Sequence, residues 1–208
     1  MFDIRTARLC LVTDRPLSRG RPLTDIVAAA VRGGATMVQL REKDAGTRDF
    51  LEQAQALKTL LKPLGIPLVI NDRVDIALAV DADGIHVWQS DIPVADVRRL
   101  VGERMFIGLS TSRAEFILAP DAQAVDYLGV GPVYAQTTKP GTAGPHGPEG
   151  FGKLRAMTKK PVMAIGGIKA SNAAPVIAAG ADGLAVVSAI VAADDPEKAT
   201  REIAALWR

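Results

Sequence analysis

Several residue types are scarce in this chain, and each scarcity excludes a class of protein. The 208 residues contain one cysteine, Cys10, so an internal disulfide is excluded. Cys10 lies in an apolar run, which favours a buried structural thiol over a nucleophile. The chain also contains only 2 histidines. They are isolated from each other and offer neither a histidine metal cluster nor an acid–base pair, and His86 is interpreted as a hydrogen-bonded core residue.

An excess of either charge and a long hydrophobic run are also missing. The 25 Lys+Arg against 23 Asp+Glu leave a net charge of +2, which gives no electrostatic case for a nucleic-acid or membrane-surface partner. No apolar run approaches membrane-spanning length, and the first residues lack a signal-peptide core. With 48% hydrophobic residues, we expect one cytoplasmic domain over residues 1–208 with a substantial core. A homo-oligomer is compatible with these features.

Short β-type runs alternate with helical segments along the whole chain. The predicted strands are Leu9–Thr13, Met37–Leu40, Leu68–Ile70, Gly84–Val87, Phe106–Leu109, Tyr127–Val130, Val162–Ile165 and Gly183–Val187. The predicted helices are Pro22–Arg32, Arg48–Leu64, Val74–Val80, Pro93–Leu100, Ala114–Leu118, Ala173–Ala179 and Pro196–Leu206. Eight such units predict an α/β fold, a single-domain (β/α)8 TIM barrel. A doubly wound open sheet is the alternative, but the turn Thr13–Pro16 lacks its glycine-rich fingerprint.

The end of the second predicted strand is unusually polar. Residues alternate in direction along a strand, so Gln39 and Arg41, and Lys43 if the strand persists, point one way. Arginine matches two phosphate oxygens with a planar fork, and lysine adds a point charge. The segment therefore indicates an anion site. Loop charges exposed to solvent are the alternative.

Other polar residues follow the remaining strands, at the end of a barrel where catalytic sites lie. Asp72 and Asp91 follow neighbouring strands and could share one hard cation, or each could cap the helix that follows. Lys139 adds a third cation to the same mouth. Glycine and serine after the last two strands, at Gly167 and Ser188, suit a phosphate held by backbone N–H groups. The pattern indicates a transferase that joins two phosphorylated small molecules.

Eight segments, taken together and in order, resemble a known family. They are Gln39–Lys43, Ile70–Arg73, Gly84–Asp91, Gly108–Ser110, Gly129–Tyr134, Thr138–Lys139, Ala164–Ile168 and Val187–Ser188. The chain is similar in these segments to thiamine-phosphate synthases. The resemblance implies a Mg²⁺-dependent barrel enzyme that joins an aminopyrimidine methyl diphosphate to a thiazole ethyl phosphate, releasing diphosphate through a pyrimidine methylene cation.

The resemblance also implies three groups of site residues. Those for the pyrimidine diphosphate are Gln39, Leu40, Arg41, Glu42, Lys43, Asn71, Ser110 and Lys139, of which Arg41, Lys43 and Lys139 are the catalytic ones. Those for the thiazole phosphate are Gln136, Thr137, Thr138, Gly167, Val187 and Ser188. The implied Mg²⁺ ligands are Asp72 and Asp91. The segment Lys139–Gly150 is interpreted either as a mobile cover for this site or as a surface loop.

The chain departs from the family pattern at four positions. Gln136 stands where threonine is usual and Ala135 where proline is common, while Trp88 replaces a glycine and Ser112 a histidine. The related thiazole tautomerase is one alternative function, but its pattern has histidine near the positions of Gln39 and Ser112 and lacks the second carboxylate. A sugar-phosphate isomerase and a non-catalytic thiamine-precursor binding protein are the others. The phosphate-facing cations and the two aspartates favour the synthase.

Overall fold

Eight parallel strands close into a barrel in which each strand pairs with the next and β8 pairs with β1. The computed structural model describes residues 7–136 and 144–207. The strands are β1 Leu9–Val12, β2 Met37–Leu40, β3 Leu68–Asn71, β4 Gly84–Val87, β5 Phe106–Thr111, β6 Tyr127–Val130, β7 Val162–Ile165 and β8 Gly183–Val186. The predicted (β/α)8 barrel is confirmed, and the open-sheet alternative is wrong.

Helices surround the barrel. They are α1 Leu23–Arg32, α2 Thr47–Leu61, α3 Val74–Ala79, α4 Val94–Val101, α5 Ala114–Leu118, α6 Pro120–Ala124, α7 Gly147–Arg155, α8 Ala173–Ala178, α9 Ser188–Val191 and α10 Pro196–Ala204. The predicted helices lie within one to three residues of the observed ones. The predicted helices ended at Leu64 and Leu206, but their last residues lie in 3-10 turns, Lys62–Leu64 and Ala205–Trp207.

Helix α7 was not predicted. Its first residues, Gly147–Gly150, belong to the glycine- and proline-rich segment that we interpreted as a mobile cover or a surface loop. Lys139 to residue 143 of that segment lie outside the described residues. Pro148 fits the first turn of a helix because the N–H it lacks has no partner there. Phe151 and Leu154 are buried. The apolar face on the second half of α7 thus outweighs the loop-forming composition of its first half.

Two apolar layers lie on opposite faces of the strands. The larger layer lies between the strands and the helices and contains Val38 and Leu40. The smaller layer contains Cys10, Met37 and Tyr127. Strand alternation explains this division, since Met37 and Val38 are neighbours in the same strand. Cys10 is fully buried, as predicted, and burial raises the pKa of its thiol.

A repeated contact joins the strands in pairs at their amino ends. The residue just before each even-numbered strand accepts the amide N–H of a residue at the start of the preceding strand. The four contacts, here called the strand-pair clamps, are Thr36 with Leu9, Asp83 with Leu68, Asp126 with Ile107 and Asp182 with Val162, at 2.7 to 3.0 Å.

Each of the three aspartates of the strand-pair clamps also forms an ion pair with a basic residue on the helix that precedes the first strand of its pair. The cations are Lys58, Arg98 and Arg155, at 2.9, 2.8 and 3.1 Å from the carboxylate. Each of these clamps therefore ties two strands and one helix together at the end of the barrel opposite the polar mouth. Within residues 7–136 and 144–207, no helix is long and apolar enough to cross a membrane.

Candidate active site at the carboxyl ends of the strands

The charged residues after β2 separate toward two neighbouring strands. Strand β2 ends at Leu40, so Arg41 and Lys43 lie in the loop that follows it. The Arg41 guanidinium is 3.3 Å from the carboxylate of Asp14, which follows β1. The Lys43 ammonium forms an ion pair with Asp72, which follows β3. The two cations thus face the same mouth from different sides, and each is held by a carboxylate.

Asp14 was not singled out from the sequence. It accepts the amide N–H of Leu17 at 3.2 Å as well as the Arg41 guanidinium, and it is 8% exposed. Its position directly after a strand is the same signal that selected Asp72 and Asp91, so the rule could have found it. A cavity of about 600 Å³ lies beside this pair and is also lined by Lys43.

The side chain of Glu42, between the two cationic residues in sequence, is almost completely buried. It is 3% exposed and accepts a hydrogen bond from the Arg15 guanidinium at 3.1 Å. Burial raises the pKa of Glu42, although the Arg15 charge opposes this. The pair joins the loop after β1 to the loop after β2. Glu42 therefore stabilises the conformation that presents Arg41 and Lys43.

Asp72 and Asp91 come together at the ends of β3 and β4. Burial and the neighbouring Asp72 carboxyl raise the pKa of Asp91, while the amide hydrogen bond from Trp88, at 2.7 Å, and the charge of Lys43 lower it. Neither aspartate caps a helix, because no side-chain cap is formed at the start of α3 or α4. The capping alternative is therefore wrong for both. Two such carboxylates are oxygen donors of the kind that a hard divalent cation prefers.

A second cavity, of about 410 Å³, lies over β5 to β8. Its volume is within the range of roughly 300–1,000 Å³ that is typical of small-molecule sites. Trp88 is one of its walls, which places this residue in the cavity rather than only in rim packing. The lining also includes Ser110, Gln136, Gly166, Gly167, Val187 and Ser188.

The glycine pair after β7 gives this cavity its shape. Gly166 and Gly167 have φ angles of +101° and +66°, which are disfavoured for other residues. A Cβ at Gly167 would also lie 2.5 Å from the carbonyl oxygen of Ala135. The turn therefore requires glycine, and it lets backbone N–H groups approach a ligand closely.

Polar groups also continue from the mouth into the barrel. The imidazole of His86 is hydrogen bonded through Nδ1 to the Tyr127 hydroxyl and through Nε2 to the Ser110 hydroxyl, both at 2.8 Å. The interpretation of His86 as a hydrogen-bonded core histidine is confirmed. Tyr127 was read only as part of a strand, because nothing in the sequence marks the contact between β4 and β6.

The remaining predicted site residues occupy defined positions. Asn71 ends β3 and is 9% exposed, while Leu40 is fully buried in the layer beneath the helices, so only its backbone is available to a ligand. Thr137, Thr138 and Lys139 lie outside the described residues. In the described parts of the chain, no group of three or more His, Cys, Asp or Glu side chains could hold a metal ion. A metal at the aspartate pair therefore needs further ligands from substrate or water.

The closed parallel barrel and its charged mouth define the class of the protein as a (β/α)8-barrel enzyme. The family model for thiamine monophosphate synthase matches residues 9–190. The chain belongs to the thiamine-phosphate synthase family, as its eight segments predict.

Relatives and a solved structure agree with this assignment over nearly the full chain. A thiamine-phosphate synthase of Chloroflexus aurantiacus is 52% identical, over 96% of this chain and 92% of its own. The synthase of Albidiferax ferrireducens is 55% identical, over 93% of this chain and 88% of its own. The structure of a thiamine phosphate pyrophosphorylase from Pyrococcus furiosus is 36% identical, with a TM-score of 0.88 over 98% of this chain and 96% of that one.

Proposed function

We propose that this enzyme condenses 4-amino-2-methyl-5-(diphosphooxymethyl)pyrimidine with a thiazole ethyl phosphate to give thiamine phosphate and diphosphate. The observation that carries the proposal is the pairing of two different anion-suited sites on one mouth. One has Arg41 and Lys43 beside two carboxylates, and the other is the 410 Å³ cavity above the glycine turn. An enzyme that joins two phosphorylated substrates needs both.

The diphosphate site is assigned to the loops after β2 and β3. Arg41 and Lys43, with Lys139 from outside the described residues, neutralise the charge that accumulates on the leaving diphosphate. Gln39, Asn71 and Ser110 bind the pyrimidine end. Leu40 contributes through its backbone, and Glu42 acts by holding the loop through Arg15.

Asp72 and Asp91 are assigned as Mg²⁺ ligands. The donor set fits, because Mg²⁺ in enzymes is usually held by one or two carboxylates together with substrate phosphates and waters. Bound Mg²⁺ would supply positive charge to the diphosphate oxygens. Until the substrate arrives, Lys43 partly neutralises the same carboxylates through its ion pair with Asp72.

The thiazole phosphate is assigned to the side of the second cavity that follows β6, β7 and β8, whereas Ser110 on β5 lines the side assigned to the pyrimidine. Gly167 offers a backbone that a phosphate can approach closely, and Ser188 adds a hydroxyl at the end of β8. Val187 lines the same wall, and Gln136 replaces a usual threonine as a side-chain donor. Thr137 and Thr138 are assigned to this site from the family pattern and lie outside the described residues.

The reaction then needs no protein base. The C–O bond to the diphosphate breaks first, its electron pair leaves with the diphosphate, and the aminopyrimidine stabilises the methylene cation. The thiazole nitrogen attacks that cation with its lone pair, which forms the new C–N bond without a proton transfer. Among the described residues His86 is engaged in the barrel interior, in agreement with a mechanism that has no base. We also infer a cytoplasmic location, because both substrates are phosphorylated, and homo-oligomer formation stays a prediction.

The test is a coupled assay with both substrates and Mg²⁺, in which thiamine phosphate and released diphosphate are quantified. We expect equal amounts of the two products and no diphosphate when the thiazole phosphate is left out. Tight binding of either substrate without diphosphate release would contradict the proposal in favour of a binding protein. Isomerisation of the thiazole phosphate alone would contradict it in favour of a tautomerase.

A further inference from the structure

Four polar side chains form a continuous column that crosses the barrel interior, here called the polar column. It runs from Gln39 on β2 through Tyr127 on β6 and His86 on β4 to Ser110 on β5. The Tyr127–His86 and His86–Ser110 contacts are both 2.8 Å, and the Gln39 amide is hydrogen bonded to the Tyr127 hydroxyl. Both ends of the column are residues that we assign to the pyrimidine site, whereas Tyr127 and His86 have no assigned role.

The barrel is shaped to hold the two central rings. Tyr127 lies opposite Gly108 in the register of β5 and β6, and a Cβ at Gly108 would lie 2.2 Å from Cζ of the Tyr127 ring. A Cβ at Gly129 would lie 3.2 Å from Cε1 of His86. Both glycines lie inside strands, where glycine costs stability relative to residues with side chains. Their presence here is explained by the space that the two rings require.

Burial fixes the direction of the hydrogen bonds. Tyr127 is 1% exposed, and burial raises its pKa well above the usual value, so its hydroxyl stays protonated. The Gln39 amide is hydrogen bonded to the same hydroxyl and opposes this shift. The buried phenol proton needs an acceptor, and Nδ1 of His86 lies 2.8 Å from the hydroxyl oxygen. With Nδ1 as that acceptor, a neutral His86 carries its own proton on Nε2 and donates it to the Ser110 oxygen, which is also 2.8 Å away.

This direction determines what Ser110 can offer to a substrate. A hydroxyl whose oxygen accepts from His86 keeps its one proton for another acceptor, and Ser110 lines the 410 Å³ cavity. If the column ran the other way, Ser110 would donate to His86 and present only lone pairs. An acceptor atom on the substrate would then meet no donor at this position.

We propose that Tyr127 and His86 are positioning residues that hold the Ser110 hydroxyl as a donor toward an acceptor atom of the pyrimidine diphosphate. The proposal rests on the proposed function for the identity of the substrate. The direction of the column does not depend on it, because the column lies within the protein.

The tautomer of His86 tests the direction without any turnover. With ¹⁵N-labelled histidine the spectrum contains only two imidazoles, His86 and His146, because the chain has 2 histidines. We expect a neutral His86 with its proton on Nε2 in the wild type. In Tyr127→Phe, which removes only the hydroxyl, we expect a mixture of both tautomers. A proton on Nδ1 in the wild type would overturn the proposal, even in a protein that proved inactive in the coupled assay.

A double-mutant cycle tests the effect on the substrate. Ser110→Ala and Tyr127→Phe should each lower kcat/KM for the pyrimidine diphosphate by about five- to tenfold, the value of one neutral hydrogen bond. Combined, they should lower it no more than about twofold beyond Ser110→Ala alone, because both remove the same donor. If the loss in kcat/KM of the double variant equalled the product of the two single losses, Tyr127 would act independently of Ser110, and the proposal would be refuted. Cys10→Ala, in the same interior layer as Tyr127, is the control and should lower Tm without changing this kcat/KM.

Discussion

The strand-pair clamps allow a prediction about stability that is independent of the active site. Asp126 accepts the amide N–H of Ile107 at 2.7 Å and a guanidinium N–H of Arg98 at 2.8 Å. We expect Asp126→Ala to destabilise the protein markedly and to leave turnover at 25 °C unchanged. The reason is that the clamp lies at the amino ends of the strands, whereas the proposed substrate sites lie at the carboxyl ends.

The magnitude follows from what each lost contact leaves behind. Ile107 is fully buried, so its amide is left without its acceptor at a cost of about 1–3 kcal/mol. The Arg98–Asp126 ion pair is partly exposed, with side chains 24% and 32% accessible, and is worth about 0.2–1 kcal/mol. Arg98 keeps its hydrogen bonds to the carbonyl oxygens of Gly102 and Met105. The total is about 1–4 kcal/mol, which for a domain of this size lowers Tm by roughly 2–16 °C.

Asp126→Asn separates the two contributions, because the amide oxygen can still accept from Ile107 while the charge is lost. We expect it to lose only the ion-pair part, about 0.2–1 kcal/mol. Asp81→Asn is the matched control, since Asp81 forms an exposed ion pair with Arg104 at 3.4 Å and has a positive φ that asparagine tolerates. The free energy of unfolding of all three variants is measured by urea titration, and the midpoints are compared provided that the m-value is unchanged. An Asp126→Ala midpoint equal to that of Asp81→Asn would refute the reasoning.

Three further predictions concern the mouth and the buried thiol. Asp91→Ala should reduce turnover at least about 100-fold while far-ultraviolet circular dichroism is unchanged, because the carboxylate pair is broken; wild-type turnover at saturating Mg²⁺ would refute the metal assignment. Arg41→Ala should lower kcat by about 100-fold or more at saturating substrates, since its charge is needed on the leaving group; a change only in the thiazole KM would contradict that role. Cys10 should react with a thiol reagent only after unfolding in urea, because it is fully buried and its pKa is raised; rapid labelling of the native protein would show that the interior is open.

The strands were predictable because their sequences are short, apolar and separated by regular intervals. Four of the eight, including β2 and β6, have the predicted bounds. β5 is longer than predicted because Ser110 and Thr111 continue its pairing with β6. Polarity alone indicated that the strand had already ended at Leu109. The strand extends into polar residues because they pair with the neighbouring strand β6, and the local sequence of β5 does not encode that pairing.

The position of the candidate site residues at the mouth of the barrel was easier to predict than their contacts. The rule that functional residues follow barrel strands selected Arg41, Lys43 and both aspartates. It gave no sign that Arg41 pairs with Asp14 and Lys43 with Asp72, because those partners come from different loops. The strand-alternation argument placed Arg41 in the strand, and Lys43 with it only if the strand persisted. Strand β2 stops at Leu40, so the loop directs its two cations to different partners.

The strand-pair clamps divide the barrel into four modules, each of them one clamped pair of strands. The loops that lead from one module toward the next are here called joints, and they contain proposed site residues. Since each clamp binds β1 to β2, β3 to β4, β5 to β6 or β7 to β8, the joints include the loops 41–46 and 88–93. These two loops carry Arg41, Lys43 and Asp91, so three of the proposed site residues lie in segments outside the four strand-pair clamps. Changes in the length and sequence of these loops leave the four strand-pair clamps intact, which makes this barrel a favourable scaffold for loop engineering.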